Sequence, residues 1–176
     1  MIDIETLGTN VRSPILSIGA CEFTFEEGVN EKQTFHAKID VGYYDNIKQA
    51  FDIDYATLKW WGKQDNFKDV LNGNITLHEA LTSLGQWMRD NFSDKPIVWC
   101  QGMDFDFPIL KHAHGVFKMK LPWEYYNQRD TRTLYEVAPG FKKTFVRSGV
   151  YHDALEDCKH QVSEVCKAYK LIHGHS

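Results

Sequence analysis

The feature that most constrains this chain is a pair of carboxylates in its opening segment, Met1-Ile-Asp-Ile-Glu-Thr-Leu-Gly8. Apolar and acidic residues alternate there with the two-residue period of a β-strand, so Asp3 and Glu5 project from one face and the isoleucines from the other. Two neighbouring carboxylates repel each other and are poorly solvated inside a folded domain. A dication that prefers oxygen ligands, such as Mg²⁺ or Mn²⁺, would neutralise them. An edge strand whose acids merely face water is the ordinary alternative, so the pair needs partners elsewhere in the chain.

The composition suits one folded domain over residues 1–176. Hydrophobic residues make up 43% of the chain and charged residues 25%, which are ordinary globular values. No apolar run approaches the ~20 residues that span a bilayer, and no signal segment opens the sequence. We therefore expect a cytoplasmic protein with no membrane partner, and a homodimer stays open. The four scattered cysteines suit reduced, mostly buried thiols. A net charge of −4 argues against a broadly basic nucleic-acid coat, although a local basic patch could still hold a strand.

Hydrophobic periodicity predicts a mixed α/β domain. The opening strand and the two that follow it have short connections, which favour an antiparallel meander. A later apolar run that follows a long amphipathic helix is typical of a buried parallel strand. The predicted strands after the opening one cover 14–26, 32–40 and 96–100. The predicted helices cover 54–64, 76–92 (with a Thr-x-x-Glu capping box), 104–114 and 153–173. A short strand or turn at about 127 is expected to run into a further helix at about 131.

Three further residues could join the two opening acids. Asp106 lies where a predicted parallel strand meets a helix, which is the edge at which open α/β sheets bind ligands. Asp157 borders the apolar stripe of the last helix, and His152 lies five residues before it. Each has an ordinary alternative, because Asp106 could cap its helix and the other two could be solvated. Together they would bring four acids and one imidazole to one place.

These residues occur in segments that resemble the three exonuclease motifs of the DEDDh 3′-to-5′ exonuclease family. Asp3-Ile-Glu5, Phe105-Asp106 followed by Leu110, and His152-Asp-Ala-Leu-Glu-Asp157 follow the family's order. The resemblance runs nearly the whole length. It implies a ribonuclease-H-like fold with a mixed five-stranded sheet, an antiparallel meander plus parallel strands, flanked by helices.

Segments outside the motifs are similar to the phage and prophage exodeoxyribonuclease VIII-like branch of that family. They are residues 54–64 with the pair Trp60-Trp61, 99–110, 122–133 and 152–161. One departure concerns an Asn that is often found four or five residues before the second-motif aspartate. Gln101 or Gly102 occupies that place, which puts a substrate contact in doubt but leaves the acids unchanged.

The resemblance implies roles for the five reactive residues. Asp3, Glu5, Asp106 and Asp157 match the family's metal carboxylates, and His152 matches its general base. Two divalent ions, Mg²⁺ or Mn²⁺, would activate water and assist the departing 3′-oxygen during phosphodiester hydrolysis. The imidazole would take the proton of the water. The predicted activity is 3′-5′ exonuclease cleavage of single-stranded nucleic-acid ends, with DNA slightly favoured over RNA.

Contacts to the substrate are expected around these acids. Leu7 and Phe105 could wedge or stack the terminal bases, with core packing an equally good explanation for Phe105. Backbone groups from Thr6 to Gly8 could meet the terminal 3′-hydroxyl. Neighbouring residues of a helix diverge by about 100°, so one of Trp60 and Trp61 is a candidate contact surface. A basic rim for phosphates is expected from Arg129, Arg132, Lys142, Lys143 and Arg147, with Arg132 and Arg147 chosen as substrate contacts.

Three other functions remain open from the sequence. The first is an exoribonuclease or oligoribonuclease, since no residue identifies a reader of the 2′-hydroxyl. The second is a catalytically silent nucleic-acid-binding or protein-interaction module, although a silent copy has no physical reason to keep four repelling acids together. The third is an endonuclease or integrase-like enzyme, against which the spacing of His152 and Asp157 favours the exonuclease group.

Overall fold

The computed structural model describes residues 1–92, 96–143 and 150–174. Three strands form an antiparallel sheet in the order β1-β2-β3, and two further strands, β4 and β5, pair in parallel. The strands are β1 (Ile2–Thr6), β2 (Ile15–Thr24), β3 (Gly28–Lys38), β4 (Val98–Cys100) and β5 (Gln128–Asp130). The helices are α1 (Tyr55–Trp61), α2 (Phe67–Val70), α3 (Leu77–Asn91), α4 (Asp106–Val116), α5 (Thr131–Val137) and α6 (Ala154–His173), with 3-10 helices at Val41–Asn46, Lys48–Ala50 and Tyr125–Asn127.

The expected mixed α/β architecture is confirmed in its coarse form, with an antiparallel meander and a parallel pair. Within the described residues, however, the strands form two hydrogen-bonded sheets and not one five-stranded sheet. β4 lies beside β1, but each strand of the parallel pair has only three residues. So short a strand offers few backbone groups with which to extend a ladder. β3 also begins at Gly28, earlier than predicted, because a tight turn with φ +80° at that glycine leads directly into it.

The main core lies between the meander and the helices α3 and α4. Ile2 and Ile4 of β1 are buried in it together with Leu81 of α3 and Leu110 of α4. The predicted capping box starts α3, where the Thr76 side chain accepts from the Glu79 amide and the glutamate accepts from the threonine amide. The isoleucines of β1 therefore face apolar core, and its acids face the opposite side.

α6 lies directly across the meander because Gly19 of β2 has no side chain. A Cβ at this position would overlap the backbone of Ala154 in the first turn of the helix. Asp153 caps that turn by accepting two backbone N–H bonds. In the β1–β2 register, Asp3 is paired with Gly19. The close approach therefore brings the first turns of α6, with Asp157, to the acidic face of β1.

Two expectations from composition can be compared with the structure. All four cysteines are buried and free, as predicted. In the parts of the chain that the structure describes, no helix combines the length and the apolar character needed to cross a bilayer.

Candidate active site

An acidic cleft of about 370 Å³ opens beside β1, next to the point where β4 ends. It brings together the four acids and the histidine that the sequence singled out, which come from β1, the start of α4, the loop before α6 and α6 itself. Its lining consists of Asp3, Ile4, Glu5, Gln101, Phe105, Asp106, Lys143, Tyr151, His152, Asp157, His160 and Gln161.

Three of these side chains are placed to share one metal ion. Glu5, His152 and Asp157 each offer one ligand atom, and these atoms lie within 4.8 Å of one another. Glu5 and Asp157 are buried, and His152 is half-buried. Carboxylate oxygens with an imidazole nitrogen suit a divalent cation of the first transition row, and carboxylates alone suit Mg²⁺. The histidine therefore lies within reach of the ion site itself as well as of a water bound there.

Asp3 lies at the centre of the repulsion among the acids. Burial raises its pKa well above the usual range, and the charges of Asp106, Glu5 and Asp157 raise it further. Gln161, one helical turn after Asp157, donates from Nε2 to Asp3 Oδ1 at 2.7 Å and partly opposes that shift. The mutual influence of the four carboxylates shows that they share one electrostatic environment, which a bound cation would stabilise.

Asp106 is the most deeply buried of the acids, with 2% of its surface exposed. Burial raises its pKa to about 7, and the hydrogen bond that its Oδ1 accepts from the Ile4 amide, at 3.2 Å, opposes the shift. This bond ties the first turn of α4 to β1. The second-motif aspartate is thus fixed against the strand that carries Asp3 and Glu5.

His152 has an unusual backbone conformation and is supported from a distant part of the chain. Its φ of +59° lies in the left-handed region, which residues other than glycine seldom adopt. Asn66 Nδ2 donates to the carbonyl oxygens of Tyr151 and His152, at 2.9 and 3.0 Å. The ring centroids of Trp60 and Trp61 lie 4.7 and 6.0 Å from the imidazole, both edge-on.

A second cavity of about 440 Å³ adjoins the cleft and shares Ile4, Glu5 and Phe105 with it. Trp60 and Trp61 form one wall. Trp61 is buried and donates from Nε1 to the Thr6 carbonyl at 2.8 Å, whereas Trp60 is 41% exposed. The expected divergence of the tryptophan pair is therefore observed. The remaining lining is Thr6, Gly8, Thr9, Asp54, Ala56 and Thr57.

Some of the predicted substrate contacts line the second cavity and others do not. Thr6, Gly8 and Phe105 line the second cavity. Leu7 does not, because its side chain is buried against Leu16, Trp61 and Val70. Arg132 lies outside both linings, with its side chain 63% exposed and Nη1 3.9 Å from Asp104. The remaining contact, Arg147, lies outside the described residues.

The other members of the expected basic rim do not share one surface. Lys143 lines the acidic cleft and donates from Nζ to Gln101 Oε1 at 2.8 Å. Arg129 instead donates to the backbone carbonyls of Tyr126 and Gln128 and borders a separate apolar groove. Lys142 is exposed, and its carbonyl accepts from Lys167. Among the rim residues that the structure describes, Lys143 is therefore the one that lines the cleft.

Sequence reasoning missed three polar residues of this region. His160 and Gln161 follow Asp157 by three and four positions, and this spacing puts all three on one face of α6, so the helical period could have found them. Asn66 is different. It lies 86 residues before His152, and no local pattern connects the two.

Comparisons with known proteins show the family to which the chain belongs. The sequence model of the 3′-5′ exoribonuclease Rv2179c-like domain matches residues 1–169. The chain is similar to the exodeoxyribonuclease of Enterobacteria phage T4, with 24% identity over 210 residues that cover 99% of this chain and 90% of the phage protein. Its fold is similar to that of cell-death related nuclease 4 (CRN-4), with a TM-score of 0.62 and 10% identity. That match covers 98% of this chain and 63% of the nuclease, so the chain spans less than two thirds of its length.

Proposed function

Because the chain belongs to the family of the 3′-5′ exoribonuclease Rv2179c-like domain, we propose that it is a metal-dependent 3′-5′ exonuclease of the DEDDh type. The observation that supports this most strongly is the shared cleft, in which Asp3, Glu5, Asp106 and Asp157 meet His152. The proposal includes a ribonuclease-H-like fold, membership of the phage and prophage branch, and one exonuclease domain over residues 1–176.

The donor set fits divalent metal ions. Four carboxylates supply hard oxygen ligands, and burial raises the pKa values of Asp3 and Asp106, so added positive charge would stabilise their ionised forms. We assign the four acids to two ions, Mg²⁺ or Mn²⁺. When bound, such a pair supplies an activated water and charge stabilisation at the departing 3′-oxygen.

The side chains of the cleft have distinct tasks in this proposal. His152 accepts the proton of the attacking water, since its ring lies within 4.8 Å of oxygens on both Glu5 and Asp157. Gln161 holds Asp3 in one orientation through its hydrogen bond. The ammonium group of Lys143 reaches the cleft, where it can pair with a non-bridging phosphate oxygen.

The second cavity suits the terminal nucleoside. It begins at Glu5 and Phe105, which it shares with the acidic cleft, so a nucleotide could place its phosphate in one cavity and its base in the other. The half-buried ring of Phe105 and the exposed part of Trp60 offer faces for a base. We assign the terminal hydroxyl to backbone groups of Thr6 and Gly8, which line this cavity.

DNA is the first substrate class in this proposal and RNA the second. The phage T4 protein, whose match covers 99% of this chain, is named an exodeoxyribonuclease, and the matched family is named for exoribonuclease activity. The two substrates differ by the 2′-hydroxyl, which would meet the polar side of the second cavity.

Matched single strands labelled at the 5′ end would test the proposal. With Mn²⁺ present, we expect progressive shortening from the 3′ end and release of mononucleotides, faster for DNA than for RNA. A faster reaction with RNA would reverse the order of substrates. Rapid cutting of a circular single strand, which has no end, would indicate an endonuclease instead. Binding without cleavage at any divalent ion would indicate a silent binding module.

A further inference from the structure

We infer that Asn66 and Trp60 are positioning residues that hold the imidazole of His152 in place over the acidic cleft. This inference rests on the proposed function, because it concerns the same reaction. It assigns roles to the α1–α2 region, which supplies none of the carboxylates. The effect of these two residues on hydrolysis should therefore pass through His152.

The backbone at His152 needs external support. A residue with a side chain at φ +59° is unfavourable, because Cβ crowds the following carbonyl oxygen. A single amide group, that of Asn66, donates to the two consecutive carbonyl oxygens of Tyr151 and His152, at 2.9 and 3.0 Å. Both bonds would be lost if this loop relaxed to a common conformation. Asn66 therefore stabilises the conformation that directs the imidazole into the cleft.

The ring of His152 is held from a second direction. The indole of Trp60 meets it edge-on at 80°, with the ring centroids 4.7 Å apart. Trp61 stands behind Trp60 at 5.1 Å and is anchored to β1 through its bond to the Thr6 carbonyl. The strand that carries Glu5 and the loop that carries His152 are thus joined through two tryptophans. The distance between the acid and the imidazole depends on this connection.

Plain packing is the alternative, and the chain offers a control for it. Asn91 Nδ2 donates to the Trp87 carbonyl at 2.7 Å on α3. Neither residue lines the acidic cleft or the second cavity. Asn91→Ala therefore removes a similar amide-to-carbonyl bond without touching His152. Trp60→Phe is a second control, because it keeps an aromatic edge beside the imidazole while it removes the indole.

The experiment measures kcat and KM with a single-stranded oligonucleotide at saturating Mn²⁺ under steady-state conditions. Asn66→Ala and Trp60→Ala are each made in the parent protein and in His152→Ala. In the parent we expect kcat to fall by about 10–100-fold for both substitutions, because a misplaced general base loses part of its effect. KM should change by less than about threefold in Asn66→Ala, whereas Trp60→Ala also removes a ring face for a nucleotide base and should raise KM. Trp60→Phe should recover most of kcat, and Asn91→Ala should leave it unchanged.

The decisive measurement is the effect of Asn66→Ala and Trp60→Ala on kcat in the His152→Ala background. If Asn66 and Trp60 act through His152, their substitution should produce no further loss once the imidazole is gone. An equal loss of kcat in both backgrounds would overturn the inference and leave the exonuclease proposal intact. A rise in KM without a fall in kcat in Asn66→Ala, or the same fall in kcat in Asn91→Ala, would also overturn it. Full kcat in His152→Ala would instead overturn the assignment of the general base, and this inference with it.

Discussion

Two cavities on the same strands differ more in charge than in size. The apolar groove near the start of β1 and β4 has a volume of about 490 Å³, and the acidic cleft farther along β1 about 370 Å³. Aromatic rings such as Phe23 and Trp99 line the groove, and Glu22 is the one acid among its described lining residues. The cleft instead gathers four acids whose mutual repulsion opposes folding. The unfavourable burial of like charges, and not the volume, therefore distinguishes the cleft as the candidate site.

Removal of one acid from each cavity should give the largest difference in cleavage rate between the cleft and the groove. Asp3→Ala removes a carboxylate from the centre of the cleft, and we expect the cleavage rate to fall on the order of 10³-fold or more. Glu22→Ala, at the groove, should leave it within about twofold. Steady-state cleavage and calorimetric titration with Mn²⁺ would measure both. Equal effects of the two substitutions would contradict the assignment of function to the cleft.

The contact that places α6 can be tested with two glycines. Gly19→Ala forces a methyl group into the backbone of Ala154, so we expect a loss of about 1–3 kcal/mol in the free energy of unfolding. Displacement of Asp157 should lower the cleavage rate by about 10²-fold. Gly115→Ala in α4 meets no atom within 4 Å and should be neutral or stabilising. Chemical denaturation with parallel rate measurements checks both, and full activity in Gly19→Ala would count against this contact.

The raised pKa values predict how the metal-free protein responds to pH. Burial raises the pKa of Asp106 to about 7 in the folded state, well above that of an aspartate in the unfolded chain, so the folded state keeps a proton that the unfolded chain has released. The contribution of this group to stability is then fully present below about pH 4 and is lost as the pH rises through about 7, by about 4 kcal/mol. Asp106→Asn should remove the part of this slope that comes from Asp106, because the amide stays neutral and its oxygen can still accept from Ile4. Thermal unfolding across this pH window is the measurement, and added Mn²⁺ should offset the loss. A metal-free stability that rises with pH would contradict the prediction.

A substitution in the apolar groove should lower stability and leave the cleavage rate unchanged. Phe23→Leu shortens an aromatic side chain that contacts Phe25 and Trp99, so we expect a loss of about 1 kcal/mol in the free energy of unfolding. Cleavage rate and affinity for Mn²⁺ should remain within about twofold of the parent. A large loss of activity in a stable variant would show that the groove takes part in the reaction.

Local patterns predicted much of the fold and of the acidic cleft. Alternation in β1 separated Asp3 and Glu5 from the isoleucines, and the capping box located the start of α3, because both depend on neighbours within a few residues. The motif resemblance indicated an exonuclease, and the family match also indicates an exonuclease. It also assigned to one site residues that lie on separate elements.

Long-range packing could not be predicted in the same way. The support of His152 by Asn66 joins positions 86 residues apart, and the contact of Gly19 with Ala154 depends on where α6 crosses the sheet. Leu7 was expected beside a substrate base and is buried with Leu16 instead, because the chain after β1 turns into a second apolar cluster. The choice between one sheet and two depends on short strands whose pairing no periodicity specifies.

The alternation of β1 also restricts how this chain can change over time. Ile2 and Ile4 fill the core from the same five-residue strand whose acids serve the cleft. Loss or gain of one residue within it would exchange the two faces, sending carboxylates into the core and isoleucines into the cleft. An insertion or deletion of one residue in β1 should therefore disturb the core and the cleft at the same time.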